Sequence, residues 1–573
     1  MFIAYIVLVG WSSLLQNFAN RAFIIYLHAY IAASVAYLCK SWIVKGMMYT
    51  ILFTLFLIEA SLEVNFDLHI SPSVLTLLAE TTQQESMEFL HSIRYMPSIY
   101  IIPSLAILFC IQLIWAEKNR IKTSSVLKKG KVNITIRCIS AFMLSMGCIT
   151  SWCYVTLFQC QTTDEVSAWN LHMRHPSDAL TRTAIAVFDL QLSKREMEKV
   201  IQLAENVNHI RPIHEDKLPL CIIFVIGESY IKCHASLYGY ELNTTPNMLK
   251  EQKEGRLFAF TNAVSPYNLT TNVIRNLISC NSMTDGEKWN EYPPISAVFK
   301  KAGFHVTMYD NQKTFSRGAT FTFAMNTFLY SPRMAAACYH ETNDTTFAYD
   351  GQMVDYYKST SMKTDQNQLT IYHLMGQHTQ FDKRYPADDR RFKVFTADSI
   401  NRNEEWLTMT KKQLIAHYDN ATAYNDYTLN KIMQLYQKQN AILIYLADHG
   451  EEVYDYRDST GRFGGDNLKQ LLRFQYEVPF VIWCSDYYKQ HHPYTIELIK
   501  QAINRPMMTD NTCQLLLYLG GMTNSPYYKD HRNVISPSYK CETRILDEQY
   551  NYDKIIKGNG EKSQNHDDTS RVK

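Results

Sequence analysis

The sequence predicts two parts: an N-terminal bundle of membrane-spanning helices, then an α/β domain on a mostly parallel central sheet. Three observations point there. Long apolar runs crowd into the first 160 or so residues. Beyond them, continuous apolar runs of strand length recur, and helical patterns separate those runs. At 573 residues the chain is long enough for more than one domain. Its formal charge of +2 argues against a nucleic-acid binder. Its 46% hydrophobic content is not that of a disordered chain.

Five runs have the length and apolarity of membrane spans: 2–15, 22–38, 46–62, 99–115 and 138–158. The first is short and carries Ser12, Ser13 and Gln16, but no small-residue cleavage site follows it, so a span is preferred to a signal peptide. Lys118, Arg120, Lys122, Lys128, Lys129, Lys131 and Arg137 lie between the fourth and fifth runs and belong on the cytoplasmic side, with Lys40 and Lys45. The loop over 63–96 holds Glu63, Asp67, Glu80, Glu85 and Glu88 against Arg94, which fits the opposite side. The fifth run then places everything after 158 outside the cytoplasm. Of the 13 cysteines, Cys160, Cys221, Cys233, Cys280, Cys338, Cys484, Cys513 and Cys541 fall in this exported part, an even set that permits disulfides. No Cys-x-x-Cys pair occurs, which argues against a cysteine zinc site.

The expected divisions are a membrane bundle over 1–160, a connector over 161–216, an α/β domain over 217–556 and a disordered tail over 557–573. Within the connector, 193–206 has the spacing of an amphipathic helix, suited to a membrane surface or to solvent alone. The domain opens with a run over 218–226, apolar on both faces as a doubly buried strand requires. Further strands are expected at 304–309, 369–374, 441–446 and 478–483, with helices at 295–301 and 420–437.

The first strand ends in Gly227-Glu228-Ser229, and the 441–446 strand runs into Ala447-Asp448-His449-Gly450. Carboxyl ends of parallel strands share one rim of a sheet, where α/β proteins bind ligands. Glu228, Asp448 and His449 form a mixed oxygen and nitrogen set suited to Zn²⁺ or Mn²⁺. Three such ligands leave a position open, as a catalytic metal requires. A helix-capping Glu and a turn Asp use the same residues, and the residues alone leave both readings open.

The polar run from Ser265 through Thr271 leads into 273–278, which has apolar residues at helical spacing. Thr270 or Thr271 therefore starts a helix, where unpaired N–H groups and the dipole favour an anion. A metal-bound hydroxyl there loses its proton more easily. N-capping is the competing role for one of the two. His373 and His378 flank Gly376 at the end of another strand, placed to hold phosphate oxygens or to protonate a leaving group. Asp310-Asn311 adds a polar pair at the same rim.

Gly227-Glu228-Ser229, His234-Ala235-Ser236-Leu237-Tyr238-Gly239-Tyr240 and Thr244-Thr245-Pro246 resemble the opening motif of the phosphoethanolamine transferases of Gram-negative inner membranes. These enzymes belong to the sulfatase and alkaline-phosphatase-like superfamily. The resemblance continues through Ser265-Pro266, Thr270, Tyr309-Asp310-Asn311 and His373-Leu374-Met375-Gly376-Gln377-His378. It reaches Lys383-Arg384-Tyr385-Pro386, Asp448-His449-Gly450-Glu451-Glu452-Val453-Tyr454-Asp455 and Glu477-Val478-Pro479-Phe480. It implies an alkaline-phosphatase-like α/β sandwich behind a multi-pass inner-membrane bundle, with the catalytic domain in the periplasm.

The resemblance assigns zinc ligation to Glu228, Thr270, Asp448 and His449, and it makes Thr270 the nucleophile with Thr271 in reserve. His373 and His378 match positions that touch the transferred phosphate or a second zinc, and Asn311 is expected at the substrate. The implied reaction moves phosphoethanolamine from phosphatidylethanolamine to a lipopolysaccharide acceptor through a phosphothreonine, in a monomer. The lipid A-modifying branch carries a further His about a dozen residues past the Asp-His pair, where this chain has Gly461-Arg462. The run from Glu451 to Asp455 is more similar to enzymes that modify the lipopolysaccharide core. Phosphoglycerol transfer from phosphatidylglycerol, and an inactive binding protein on the same scaffold, are the alternatives. A sulfatase needs Cys or Ser in a Cys/Ser-x-Pro-x-Arg context, which Thr270-Thr271-Asn272-Val273-Ile274 does not provide.

Overall fold

The structure, a computed structural model, describes residues 41–66, 98–126, 154–163, 179–213, 218–313, 328–358, 365–462 and 467–558, with a few positions between them. The runs at 2–15 and 22–38, most of 138–158, most of the 63–96 loop and the tail past 558 lie outside the described residues. The chain forms two compact units, one reaching Glu196 and the other starting at Met197.

In the first unit, helices α1 (Trp42–Phe66) and α2 (Ser98–Val126) pack through Phe56, Ala60 and Phe109. The Phe56 and Phe109 rings stack at 5.0 Å. Over Trp42–Glu63, α1 is long and apolar enough to cross a membrane, the one such helix among the described residues; α2 carries a shorter apolar stretch over Ile102–Trp115. Ile107, Leu108, Ile111, Ile114 and Trp115 stand exposed along that stretch, an apolar surface that lipid would cover at no hydration cost. Helix α3 (Ala179–Glu205) begins well before the 193–206 segment that periodicity suggests. Ile185 and Leu192 extend its apolar face upstream and bury against Leu157 and Val166.

The second unit is built on a seven-stranded sheet. In chain order its strands are β1 (Leu220–Gly227), β2 (Leu257–Phe260), β3 (His305–Asp310), β4 (Glu341–Thr342), β5 (Gln368–His373), β6 (Asn440–Ala447) and β7 (Phe480–Cys484). They lie in the order β2-β7-β6-β1-β5-β3-β4. The pairs β6-β1, β1-β5, β5-β3 and β3-β4 are parallel, while β7 runs antiparallel to both β6 and β2. The expected mostly parallel sheet is therefore present, with one reversed strand. Pro479 has no N–H to give a ladder, and β7 starts after it rather than at 478. The short edge strand β2 has too few residues to show a period.

Alternation along the central strands explains their unbroken apolar runs. Ile222, Phe224 and Ile226 of β1 enter one core with Ile442, Ile444 and Leu446 of β6. Cys221, Ile223 and Val225 enter the other with Leu443 and Tyr445. Each large apolar side chain buried this way contributes roughly 1.5–3 kcal/mol. Helix α4 (Thr270–Ile278) lays Ile274 and Leu277 on the first core. Helix α5 (Met409–Tyr436) covers the second with Leu429, Ile432 and Met433. It starts before 420 because Thr408 caps it by accepting from the Lys411 N–H. All eight cysteines that permitted disulfides are free thiols, five of them (Cys221, Cys280, Cys338, Cys484 and Cys513) buried as small apolar residues.

The turn after β6 is fixed by close approach. The Gly450 N–H donates to the Gln475 carbonyl at 2.9 Å, and a Cβ on Gly450 would overlap the Phe474 carbonyl oxygen. Gly450→Ala should therefore destabilise the fold by roughly 1–3 kcal/mol through overpacking. Chemical denaturation of the two proteins measures this, and equal midpoints would show that the helix ending at Gln475 yields freely.

Candidate active site

Parallel pairing of β1 with β6 sets Gly227 opposite Ala447, so the next residues, Glu228 and Asp448, leave the sheet side by side. The Asp448 N–H donates to the Gly227 carbonyl at 3.0 Å, and the Ser229 N–H donates to Asp448 Oδ1 at 3.0 Å. His449 follows directly and is fully buried, as are both carboxylates. Its Nδ1–H donates to the Gly450 carbonyl at 2.8 Å, which leaves the lone pair on Nε2 facing the carboxylates. That Nε2 lies 3.1 Å from Asp448 Oδ2 and 3.5 Å from Glu228 Oε1.

Thr270, the first residue of α4, brings its hydroxyl 3.1 Å from the same Nε2 and 3.4 Å from Glu228 Oε2. Leu269 at the N-cap makes no side-chain cap bond, and Thr270 opens the helix at the end where the dipole favours an anion. Thr271 is the next residue of the helix. The segment before Thr270 is held by Gln475, whose Oε1 accepts from Asn268 Nδ2 at 2.7 Å. Gln475 thus steadies both the Asp-His turn and the approach to Thr270.

Two carboxylates buried together cannot both hold full charge without a cation. Burial, then the charge of Glu228, pushes Asp448 well above the usual carboxylate range. Burial also pushes Glu228 up, but His449, His378 and Arg462 outweigh it and hold Glu228 low. Burial and the Arg462 charge bring His449 down to about 3, so its ring is neutral. Glu228, Asp448 and His449 offer ligand atoms within 4.8 Å of one another, the one such group among the described residues. Asp448 Oδ2 is buried without a hydrogen-bond partner. Hard oxygens, a neutral imidazole and an orphaned carboxylate oxygen fit a divalent metal, zinc above all.

The register that pairs β5 with β3 sets His373 beside Asp310, and Nδ1 meets Asp310 Oδ1 at 3.0 Å. Burial opposes charge on His373, but Asp310 outweighs it and pushes the imidazole up to about 9. Its Nε2 is buried without a partner, and the charges of Glu228 and Asp448 reach the ring. His378 is half-buried on the loop after β5, close enough for its charge to lower Glu228. Gly376 lets that loop cross Glu228: at φ +50°, a Cβ there would sit 2.8 Å from the Glu228 carbonyl oxygen.

Asn311, expected at the substrate, makes contacts with the protein itself. It is buried, its Nδ2 donates to Asp350 at 2.9 Å and its Oδ1 accepts from the Phe347 N–H at 2.7 Å. Asp350 also accepts from the Met375 and Gly376 N–H groups, both at 2.9 Å. Asn311 therefore braces the loop that carries His378.

Residues 221–514 match the sulfatase family, a span that encloses every residue of this site. The chain belongs to the sulfatase family. Curated proteins similar to it include phosphoethanolamine transferases. It is 24% identical to the phosphoethanolamine transferase EptC of Escherichia coli (strain RS218) over 85% of this chain and 81% of that one. It is 24% identical to the phosphoethanolamine transferase CptA of Salmonella typhimurium over 90% of this chain and 86% of the relative. The integral membrane protein lipooligosaccharide phosphoethanolamine transferase A (EptA) of Neisseria meningitidis shares the fold with a TM-score of 0.59 at 16% identity, over 93% of this chain and 95% of that one.

Several residues at this sulfatase-family site escape sequence reasoning. Gln312 donates from Nε2 to Glu228 Oε2 at 3.3 Å and to the Leu374 carbonyl at 2.8 Å. Glu451 is buried, its carboxyl pushed by burial up to about 7. Arg462 lies against His449 Nε2. Glu451 had a visible signal, the Asp-His-Gly-Glu-Glu run. Arg462 had no signal of its own.

The loop after β1 is pinned by His234, whose Nδ1 meets Asp419 Oδ1 at 2.7 Å and whose Nε2 meets Asp455 Oδ1 at 2.8 Å. Only a doubly protonated ring donates both bonds. Burial opposes that charge and also raises Asp419, yet the two carboxylates push His234 up to about 10. A raised imidazole contributes stability that is fully present below its ordinary value of 6.5 and is lost as pH rises through about 10. The stability gap between wild type and His234→Gln should therefore narrow across that window in denaturant titrations. A constant gap would rule out the imidazolium.

Proposed function

We propose that the chain transfers phosphoethanolamine from phosphatidylethanolamine to a lipopolysaccharide acceptor, with Thr270 as nucleophile. One observation carries this reading. A helix-start hydroxyl stands 3.1 Å from His449 Nε2 and 3.4 Å from Glu228 Oε2, within a buried metal-type donor set. The chain's relatives bear the matching activity in their names.

Glu228, Asp448, His449 Nε2 and Thr270 Oγ1 would hold zinc, which when bound supplies Lewis acidity that eases loss of the hydroxyl proton and offsets phosphoryl charge. Thr270 releases its proton to solvent and attacks phosphorus. An Oγ–P bond forms as the P–O bond to diacylglycerol breaks. The N-terminal end of α4, where the helix dipole favours negative charge, faces the phosphoryl oxygens. His373, kept protonated by Asp310, gives its Nε2 proton to the leaving alkoxide. An acceptor oxygen then attacks phosphorus as the Thr270 Oγ–P bond breaks. A hydroxyl acceptor gives its proton to His373 (with a phosphate acceptor His373 takes one from solvent), and the Thr270 alkoxide takes a proton from solvent to restore the hydroxyl. His378 holds a phosphoryl oxygen.

The donor is a lipid, which gives the apolar helices a purpose. The basic stretch over 118–137 supports an inner-membrane placement with the catalytic unit in the periplasm. The run Glu451-Glu452-Val453-Tyr454-Asp455 favours the core of lipopolysaccharide as acceptor.

Thr270→Ala in the zinc-loaded full chain should lower diacylglycerol release from deuterated phosphatidylethanolamine by at least about 10³-fold, as loss of a nucleophile does, with zinc partly retained. Mass spectrometry of the released lipid reads this. Release at the wild-type rate would sink the nucleophile, and release only from labelled phosphatidylglycerol would make the reaction phosphoglycerol transfer. Asp448→Asn should lower zinc content, measured by metal analysis. Lipid profiling of a host with and without the chain should show the phosphoethanolamine mass increment on the lipopolysaccharide core.

A further inference from the structure

The geometry points to Arg462 as a further catalytic residue, one that binds the non-bridging oxygens of the phosphoryl group during transfer. A short antiparallel hairpin follows the Asp-His turn, pairing Glu452 with Gly461. It folds the chain back so that Arg462 returns to the site it left 13 residues earlier, at His449. Gly461, at φ +97°, makes the reversal in a backbone conformation that residues with a Cβ rarely adopt.

Three contacts fix the guanidinium. Its Nη1 donates to the Asn268 carbonyl at 2.9 Å, two residues before Thr270. Its Nε stands 3.6 Å from Glu451 Oε2, and Nη1 also touches His449 Nε2. The Thr270 hydroxyl lies on that same nitrogen, so nucleophile and guanidinium are neighbours across one atom. The Nη2 group makes no hydrogen bond among the described residues, and the Arg462 side chain keeps 22% of its surface exposed. A cation with an open fork thus stands beside the attacking oxygen.

A guanidinium and a metal cannot both use the Nε2 lone pair. The Asn268 carbonyl and the Glu451 carboxylate are the partners left to Arg462 when a metal takes it, and both keep the side chain next to Thr270. A transferring phosphoryl group spreads negative charge over its equatorial oxygens, and a planar guanidinium meets two of them at once where an ammonium meets one. Burial of the surrounding carboxylates makes such a charge count for more than it would in water. Glu451 has the part of a positioning residue that aims the fork.

This inference rests on the transferase reading, and its test separates the two. Inorganic phosphate is titrated calorimetrically into the zinc-loaded full chain in detergent, as wild type, Arg462→Lys and Arg462→Ala, with zinc content measured alongside and kcat and KM taken for diacylglycerol release. Arg462→Ala should weaken phosphate binding at least about tenfold and lower kcat about 10²–10³-fold, with zinc stoichiometry retained. Arg462→Lys should recover only part of both. The proposal is overturned if Arg462→Ala binds phosphate within twofold of wild type, if it loses phosphate only in step with zinc, if Lys restores binding in full, or if zinc-loaded wild type binds no phosphate. A wild type that binds phosphate through Arg462 yet releases no diacylglycerol would overturn the transferase reading and leave Arg462 as a phosphate ligand.

Discussion

The site rests on the parallel register of β1 against β6. Because Gly227 pairs with Ala447, Glu228 and Asp448 are forced out of the sheet as neighbours, fully buried. The Ser229 and His449 N–H groups that donate to Asp448 offset only part of the cost of burying the pair, so a positive charge has to be supplied at that point. The residues around the pair can be understood as answers to this requirement. His449 presents a neutral lone pair, Arg462 brings a fixed cation, and His373 and His378 set imidazoles close by. A divalent metal meets the same need with more charge at shorter range.

The second constraint is close packing around that pair. Gly450 passes so near the end of the Leu468–Gln475 helix that no side chain fits, and Gly376 crosses Glu228 in a left-handed conformation. Gln475 and Asp350 use several hydrogen bonds each to hold these turns. The site therefore sits on backbone held rigid from behind, as a reaction that depends on positioning requires. Its chemistry comes from loops, and its precision comes from the sheet and two short helices.

Much of this was legible in the chain. The doubly buried strands announce themselves as continuous apolar runs, and the strand ends mark Glu228, Asp448 and His449 as one layer. Thr270 is legible as a helix start because a polar segment gives way to helical periodicity there. Helix starts were less so: α3 runs back through the apolar stretch over 179–192, and α5 starts from the Thr408 cap, both ahead of the segments where the helical spacing is clearest. The reversed β7 and the edge strand β2 were not legible, since strand direction and edge pairing leave no mark in a short apolar run. Asn311 looked like a rim residue by position, and only its bonds to Asp350 and Phe347 assign it to support.

The sequence by itself determined the two-part organisation, the parallel sheet and the residue types at its rim, because periodicity and strand-end chemistry are local properties. Tertiary structure alone decided that the Thr270 hydroxyl shares His449 Nε2 with Glu228 and Asp448 nearby, that Gln475 braces both halves of the site, and that Arg462 returns to it. Those contacts join residues up to about 200 positions apart or turn on a single hairpin, and their distances follow from register and packing that no local pattern encodes.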